Sequence, residues 1–217
     1  MSRPLRVFIS AGETSGDRFG SRLAQALRRL RPDVELHGIG GPRMAQQGVR
    51  LIEDPVGHAG MGILHALSKV CYYFGVYRRC KRHFEQYRPD VLVPVDNPEF
   101  NLRLARHARS ASIPVAYYVS PQFWAWRRGR IHTIARRVNR VLCILPFEKP
   151  LYDQIGCDAR YVGHPALDYL AEARLDKDVE QRIRGMGDPV IGLLPGSRGQ
   201  EVRKVFPIIA GAAAEIQ

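Results

Sequence analysis

The sequence predicts an α/β fold built on a parallel sheet, and two observations carry that prediction. Short β-rich apolar runs recur at 5–10, 34–38, 91–95, 115–119, 138–144 and 190–194, and helix-like stretches lie between most of them. Strands that alternate with helical patterns are built as βαβ units, whose crossovers bring each new strand back parallel to the sheet. At 217 residues, 45% hydrophobic and 25% charged, the chain holds one complete Rossmann-like domain or that domain and the start of another.

The run 5–10 opens the first unit. It leads into Gly12-Glu13-Thr14-Ser15-Gly16-Asp17, where Asp17 reads as a helix N-cap, and Leu23, Leu27 and Leu30 then repeat at helical spacing until Pro32. The second strand, 34–38, runs into Gly38-Ile39-Gly40-Gly41-Pro42-Arg43. Within 57–88, Ile63, Leu67, Val70, Phe74 and Tyr77 form one helical stripe, Tyr72 and Val76 fall opposite, and Lys69, Arg78, Arg79, Lys81 and Arg82 add positive charge. Such a helix lies at a membrane interface, lines a pocket for acyl chains, or is sandwiched between the sheet and a neighbour. The strand 91–95 ends in Asp96-Asn97-Pro98, before a helix around 99–110 with Phe100, Leu104 and Ala108 on one stripe and Arg103, Arg106 and Arg109 elsewhere. Pro114 and Pro121 bracket the strand 115–119. From 177 to 189 the sequence turns charged and Gly-containing, which predicts a linker between a domain over 1–176 and the first βα unit of a second over 190–217.

The excess of 33 Lys+Arg over 21 Asp+Glu gives a formal charge of +12, which favours anionic partners without choosing among them. No nucleic-acid-binding motif accompanies it. Cys71, Cys80, Cys143 and Cys157 form no CxxC pair, so buried free thiols in a reducing compartment are expected and no zinc site is. The first apolar run is too short for a signal peptide, and no run is long enough to span a membrane.

Chemistry concentrates at the predicted strand ends, where parallel sheets bind ligands. The loop 12–17 can receive an anion or sugar hydroxyls on backbone N–H groups, or serve as a tight turn; it fits neither the phosphate-loop nor the dinucleotide pattern. Asp96 is placed to accept a proton from a substrate hydroxyl, or only to cap the next helix. Segment 117–130, YYVSPQFWAWRRGR, sets Trp124 and Trp126 beside Arg127, Arg128 and Arg130. That pairing suits a ligand part ring-shaped and part anionic, and equally suits tryptophans that pin a helix. His164 stays open as an acid, a phosphate partner or a packed residue, and Gly196, Ser197 and Arg198 make a plausible diphosphate cradle.

Taken in order, SAGETSGD at 10–17, GIGGPRM at 38–44, DNPEFN at 96–101, the segment 117–130, LPFEKPLY at 145–152, VGHP at 162–165 and LLPGSRGQEV at 193–202 resemble the lipid-A-disaccharide synthase family along the whole chain. The resemblance implies an inverting glycosyltransferase with two Rossmann-like domains, the GT-B type, needing no cofactor or metal. Its implied substrates are UDP-2,3-diacylglucosamine and 2,3-diacylglucosamine 1-phosphate, at the cytoplasmic face of a Gram-negative-type inner membrane with peripheral contact to anionic lipid. By the same resemblance, Asp96 is the base; Glu13, Ser15, Asp17, Asn101, Trp124, Trp126, Arg127 and Arg128 contact substrate; and Gly196, Ser197 and Arg198 hold the diphosphate. Ile63, Leu67, Val70, Phe74 and Tyr77 would meet acyl chains or membrane. Thr14 and Gln122 read as tolerated departures. Only the first unit of the second domain is expected here, so the chain is read as working with a missing carboxyl-terminal half or a second copy, or as a remnant that binds without chemistry.

Overall fold

The computed structural model describes residues 3–57, 66–126, 128–187, 189–196 and 199–216. Seven parallel strands run β1 Arg6–Ala11, β2 Glu35–Ile39, β3 Arg50–Glu53, β4 Val91–Val95, β5 Ala116–Tyr118, β6 Arg140–Cys143 and β7 Ala159–Tyr161, in the spatial order β3-β2-β1-β4-β5-β6-β7. The helices that bear on the sheet are α1 Thr14–Leu30, α2 Pro42–Gln46, α3 Ala66–Tyr87, α4 Pro98–Ser110, α5 Phe123–Trp126, α6 Ile131–Arg137 and α7 Glu148–Asp153.

The order dictates the layers. Going from β1 to β2 to β3 the sheet grows one way, and from β3 the chain jumps back across β1 to β4 and then grows the other way. Because crossovers are right-handed, the first two connections cover one face and the rest cover the other. The core divides accordingly: Val7, Ile9, Ala24, Leu36 and Met44 gather on the α1–α2 side. Phe8, Val76, Cys80, Phe84, Leu104, Ile134 and Tyr152 gather on the side of α3, α4, α6 and α7.

Several elements depart from expectation. Helix α1 starts at Thr14 with Glu13 as its N-cap, so Asp17 lies inside the first turn rather than capping it. Its carboxylate instead accepts the backbone N–H groups of Gly41, Arg43 and Met44 at 2.8, 3.2 and 3.0 Å, which caps α2 from a neighbouring helix. The core-facing row of α3 is Val76, Cys80 and Phe84, with Tyr77 packed beside it, so the expected stripe splits: Val70 and Phe74 face outward and Tyr77 faces in. Strands β3 and β7 were not anticipated.

Two compact units divide the chain at Asp168, inside α8 Ala166–Glu172. The second unit holds α9 Lys177–Arg184, within the stretch expected as a linker, and α10 Gly199–Ala214. Asp176 caps α9 through the N–H groups of Asp178 and Val179. Residues 190–194 do not form the expected strand. A strand exists by pairing, and nothing among the described residues pairs with this segment, which leaves Leu194 exposed.

Candidate active site

The sheet reverses its direction of growth between β1 and β4, and the crevice beyond the carboxyl ends of those two strands is where such folds receive ligands. Gly12 and Asp96 stand at that point, one after each strand. A Cβ on Gly12 would meet the Asn97 side-chain nitrogen at 1.9 Å, so any larger residue there would have to displace the Asn97 side chain.

Asp96 and Asn97 both adopt left-handed backbone, with φ of 50° and 45°. Two bonds hold the Asp96 carbonyl in place, each at 2.7 Å, from the Asn101 side-chain amide and from the Tyr117 hydroxyl. Asn101 is fully buried and also bridges Ser10 and the Val95 carbonyl, accepting from the Ser10 hydroxyl at 2.5 Å and donating at 3.2 Å to each backbone oxygen. It is therefore a clamp that fixes the ends of β1 and β4, with no group left for a substrate. The same correction applies to Asp17, 1% exposed with both oxygens occupied by α2.

The Asp96 side chain lines a cleft of about 560 Å³ together with Phe19, Pro98, Val119, Ser120, Gln122, Phe123, Arg130, Glu148 and His164. Burial holds its carboxyl above the usual carboxylate range; the Asn97 backbone N–H opposes that shift, and the charge of Glu13 adds to it. Glu13 and Ser15 are exposed beside this point, at the start of α1. The cleft thus combines a carboxyl of raised proton affinity with the side chains of Arg130 and His164 in its lining. Arg130 pairs with Glu99 and lies over the Phe123 ring at 5.6 Å. His164 Nδ1 accepts the Ala166 N–H at 3.1 Å, which assigns the ring proton to Nε2, and the ring stands edge-on to Phe19.

The segment 117–130 reaches the same cleft, through Gln122, Phe123 and Arg130. Trp124 turns the other way: its indole N–H donates to Glu148 at 3.2 Å and its ring meets Phe147 edge-on. It anchors the segment instead of presenting that N–H to a ligand. Of the remaining expected residues, Arg127, Ser197, Arg198 and Ile63 lie outside the described residues, as do the side chains of Leu67, Trp126 and Arg128. Gly196 has a left-handed φ of 106° in the second unit. No group of three or more His, Cys, Asp or Glu side chains among the described residues is arranged to hold a metal ion.

Glu148, Ser120 and Phe19 are the site residues that sequence reasoning did not single out. The signal for Glu148 was present, an acid set directly after the apolar run Leu145-Pro146-Phe147 that follows β6.

The sequence profile of the lipid-A-disaccharide synthetase family matches residues 7–217. The chain belongs to the lipid-A-disaccharide synthase family. A lipid-A-disaccharide synthase of Myxococcus xanthus (strain DK1622) is 42% identical over 217 residues, which is all of this chain and 57% of the relative. One from Syntrophus aciditrophicus (strain SB) is 43% identical over 209 residues, 95% of this chain and 54% of the relative. The chain spans about half the length of the curated relatives it matches. Among solved structures, a UDP-N-acetylglucosamine 2-epimerase superposes with a TM-score of 0.57 at 11% identity, over 80% of this chain and 52% of that one. The Neisseria meningitidis UDP-GlcNAc 2-epimerase bound to UDP-GlcNAc gives 0.54 at 11% identity, over 85% and 55%. At that identity the likeness establishes the fold of this chain and nothing further.

Proposed function

We propose that this chain supplies the acceptor side of a lipid-A-disaccharide synthase. The reaction moves 2,3-diacylglucosamine from UDP-2,3-diacylglucosamine to the 6-hydroxyl of 2,3-diacylglucosamine 1-phosphate, giving the β-1,6 disaccharide phosphate and UDP. One observation carries the reading: in a chain of this family, Asp96 stands at the sheet's switch point and lines a cleft of about 560 Å³.

Asp96 takes the proton of the acceptor 6-hydroxyl as that oxygen attacks the anomeric carbon from the face opposite UDP, which inverts the configuration. Its raised proton affinity, caused by burial, suits that task. His164 Nε2–H and Arg130 are the donors facing sugar or phosphate oxygens. Gly196, Ser197 and Arg198 would take the charge that develops on the departing diphosphate. Val70 and Phe74, 65% and 62% exposed on α3, offer apolar surface to acyl chains or to the anionic inner membrane they are drawn from.

The test supplies the carboxyl-terminal portion of the Myxococcus xanthus relative in trans, with both lipid substrates, and follows disaccharide by mass spectrometry. Product is expected, and Asp96→Asn should lower its rate about 10²–10⁴-fold, the usual worth of a positioned base. No product from the parent, or full activity in the Asn variant, defeats the reading.

A further inference from the structure

Val119 is the strained residue of the cleft wall. Its φ is 59°, left-handed like Asp96 and Asn97. Asp and Asn tolerate that region, whereas a β-branched residue there is a true outlier. In a regular strand Val119 would face the same side as Tyr117. The left-handed turn sends it instead, with Tyr118, into the core on the α1 side, where it is buried. Such a conformation persists only where its surroundings over-determine it, and strain of this kind gathers at functional sites.

The restraint on Val119 sits one residue on. The Ser120 hydroxyl donates to Glu148 Oε1 at 3.0 Å, the Trp124 indole N–H donates to the same oxygen at 3.2 Å, and the Leu145 N–H donates to Oε2 at 3.1 Å. Glu148 is 1% exposed and forms no ion pair among the described residues. Three donors converging on two oxygens suit a carboxyl group and not an amide, because an amide would set its own N–H against at least one of them. A buried acid without a cation is a costly way to fill a core, and here its bonds tie the end of β5, helix α5 and the start of α7 together.

We propose that Glu148 is a positioning residue: acting through Ser120 and Trp124, it holds Val119 in its left-handed turn and so fixes the cleft wall beside Asp96. The functional part rests on reading this cleft as the site for the acceptor sugar. Proton transfer from a sugar hydroxyl needs that wall fixed, since a misplacement of about 1 Å can cost about a hundredfold.

Two readouts test it in the otherwise unaltered chain. Isothermal titration with glucosamine 1-phosphate reads the sugar site, and the intraresidue amide–Hα NOE of Val119, strong only at positive φ, reads the turn. Glu148→Gln should weaken binding at least about tenfold and weaken the NOE. Adding Val119→Gly should restore at least half of that loss on a logarithmic scale, because glycine enters the left-handed region without steric cost. A role in core packing alone would not be rescued that way, as glycine removes more buried methyl groups. Should Glu148→Gln not fold, Ser120→Ala, which removes one donor, must show the same two changes in smaller measure. The proposal is overturned by a folded Glu148→Gln chain with the parent's affinity and NOE, by a loss that Val119→Gly fails to restore, or by an inert Ser120→Ala where Glu148→Gln does not fold. If the parent does not bind glucosamine 1-phosphate, the sugar reading falls, and the NOE still decides what Glu148 does.

Discussion

At the scale of single residues, Asp96 costs stability at neutral pH because its carboxyl is buried. Burial raises its carboxyl above the ordinary range, and Glu13 pushes the same way. A carboxyl whose folded value exceeds its unfolded value binds its proton more tightly when folded. Its contribution to stability is therefore full below about pH 3.9 and is lost as pH rises through the folded value. Asp96→Asn should thus raise Tm at neutral pH, and asparagine accepts the φ of 50° at that position. Stabilising replacements of this kind yield about 0.5–2 kcal/mol, or roughly 2–4 °C per kcal/mol in a chain this long. The gain should vanish below the carboxylate range, and a lower Tm for Asp96→Asn at pH 7 would contradict the electrostatic account. Glu13→Gln should shift the Asp96 titration, followed by carboxyl ¹³C NMR, to lower pH. The position of Asp96 at the cleft was legible in the sequence because an acid directly after an apolar strand has few places to go. Asp17 and Asn101 were misread because their partners, α2 and the ends of β1 and β4, are distant in sequence, and a polar residue near a loop looks the same whether it faces solvent or a backbone N–H. Trp124 was misread for the same reason, its partner Glu148 lying on another element.

Among the elements, α3 is attached to the sheet by a contact that acid should weaken. His37 Nδ1 on β2 and His83 Nε2 on α3 are 3.0 Å apart, with the Tyr87 ring stacked flat on His37 at 3.8 Å. Burial, then the charge of His37, holds His83 down at about 4. His37 is also lowered, by burial first and then by Arg50 and Arg6, with Glu35 opposing. Both rings are thus neutral when folded, while the unfolded chain takes up protons near pH 6.5. The stability they allow is present above about pH 6.5 and is lost as pH falls toward about 4. Calorimetry in steps of pH should show Tm falling through that window, and His83→Gln should flatten the fall; an unchanged slope would place the acid sensitivity elsewhere. Long periodic helices such as α1 and α4 were readable because their stripes span several turns. The edge strands β3 and β7, RLIE and ARY, were not, since three or four residues carry no period and owe their conformation to β2 and β6. Residues 190–194 show the converse, an apolar β-rich run without a strand to pair with.

For the whole molecule, sheet order decides where the excess charge of +12 is displayed. The reversal after β3 puts α3, α4 and α6 in one layer; the outer sides of α4 and α6 carry Arg103, Arg106, Arg109 and Arg136, and the half-buried Arg137 donates to the Leu102 carbonyl. None of these five forms an ion pair with a carboxylate among the described residues, and Arg137 is lowered by burial and then by its neighbours Arg106 and Arg136. Like charges at helical spacing oppose folding, so the arrangement is costly unless something anionic meets it. The exposed Val70 and Phe74 on α3, in the same layer, favour a bilayer over a nucleic acid, which would offer nothing apolar to bury against. Sedimentation with phosphatidylglycerol vesicles should therefore show binding that phosphatidylcholine vesicles do not support and that fades as salt shortens the Debye length. An arginine near an anionic surface contributes about 1 kcal/mol, so the combined change Arg103→Gln, Arg106→Gln and Arg136→Gln should lower partitioning roughly a hundredfold. Phe74→Asp should lower it while leaving the salt dependence in place, because it removes apolar contact and not counterion release. If the triple variant binds as the parent does at low salt, the arginine layer faces water only, and any membrane contact belongs to α3 alone.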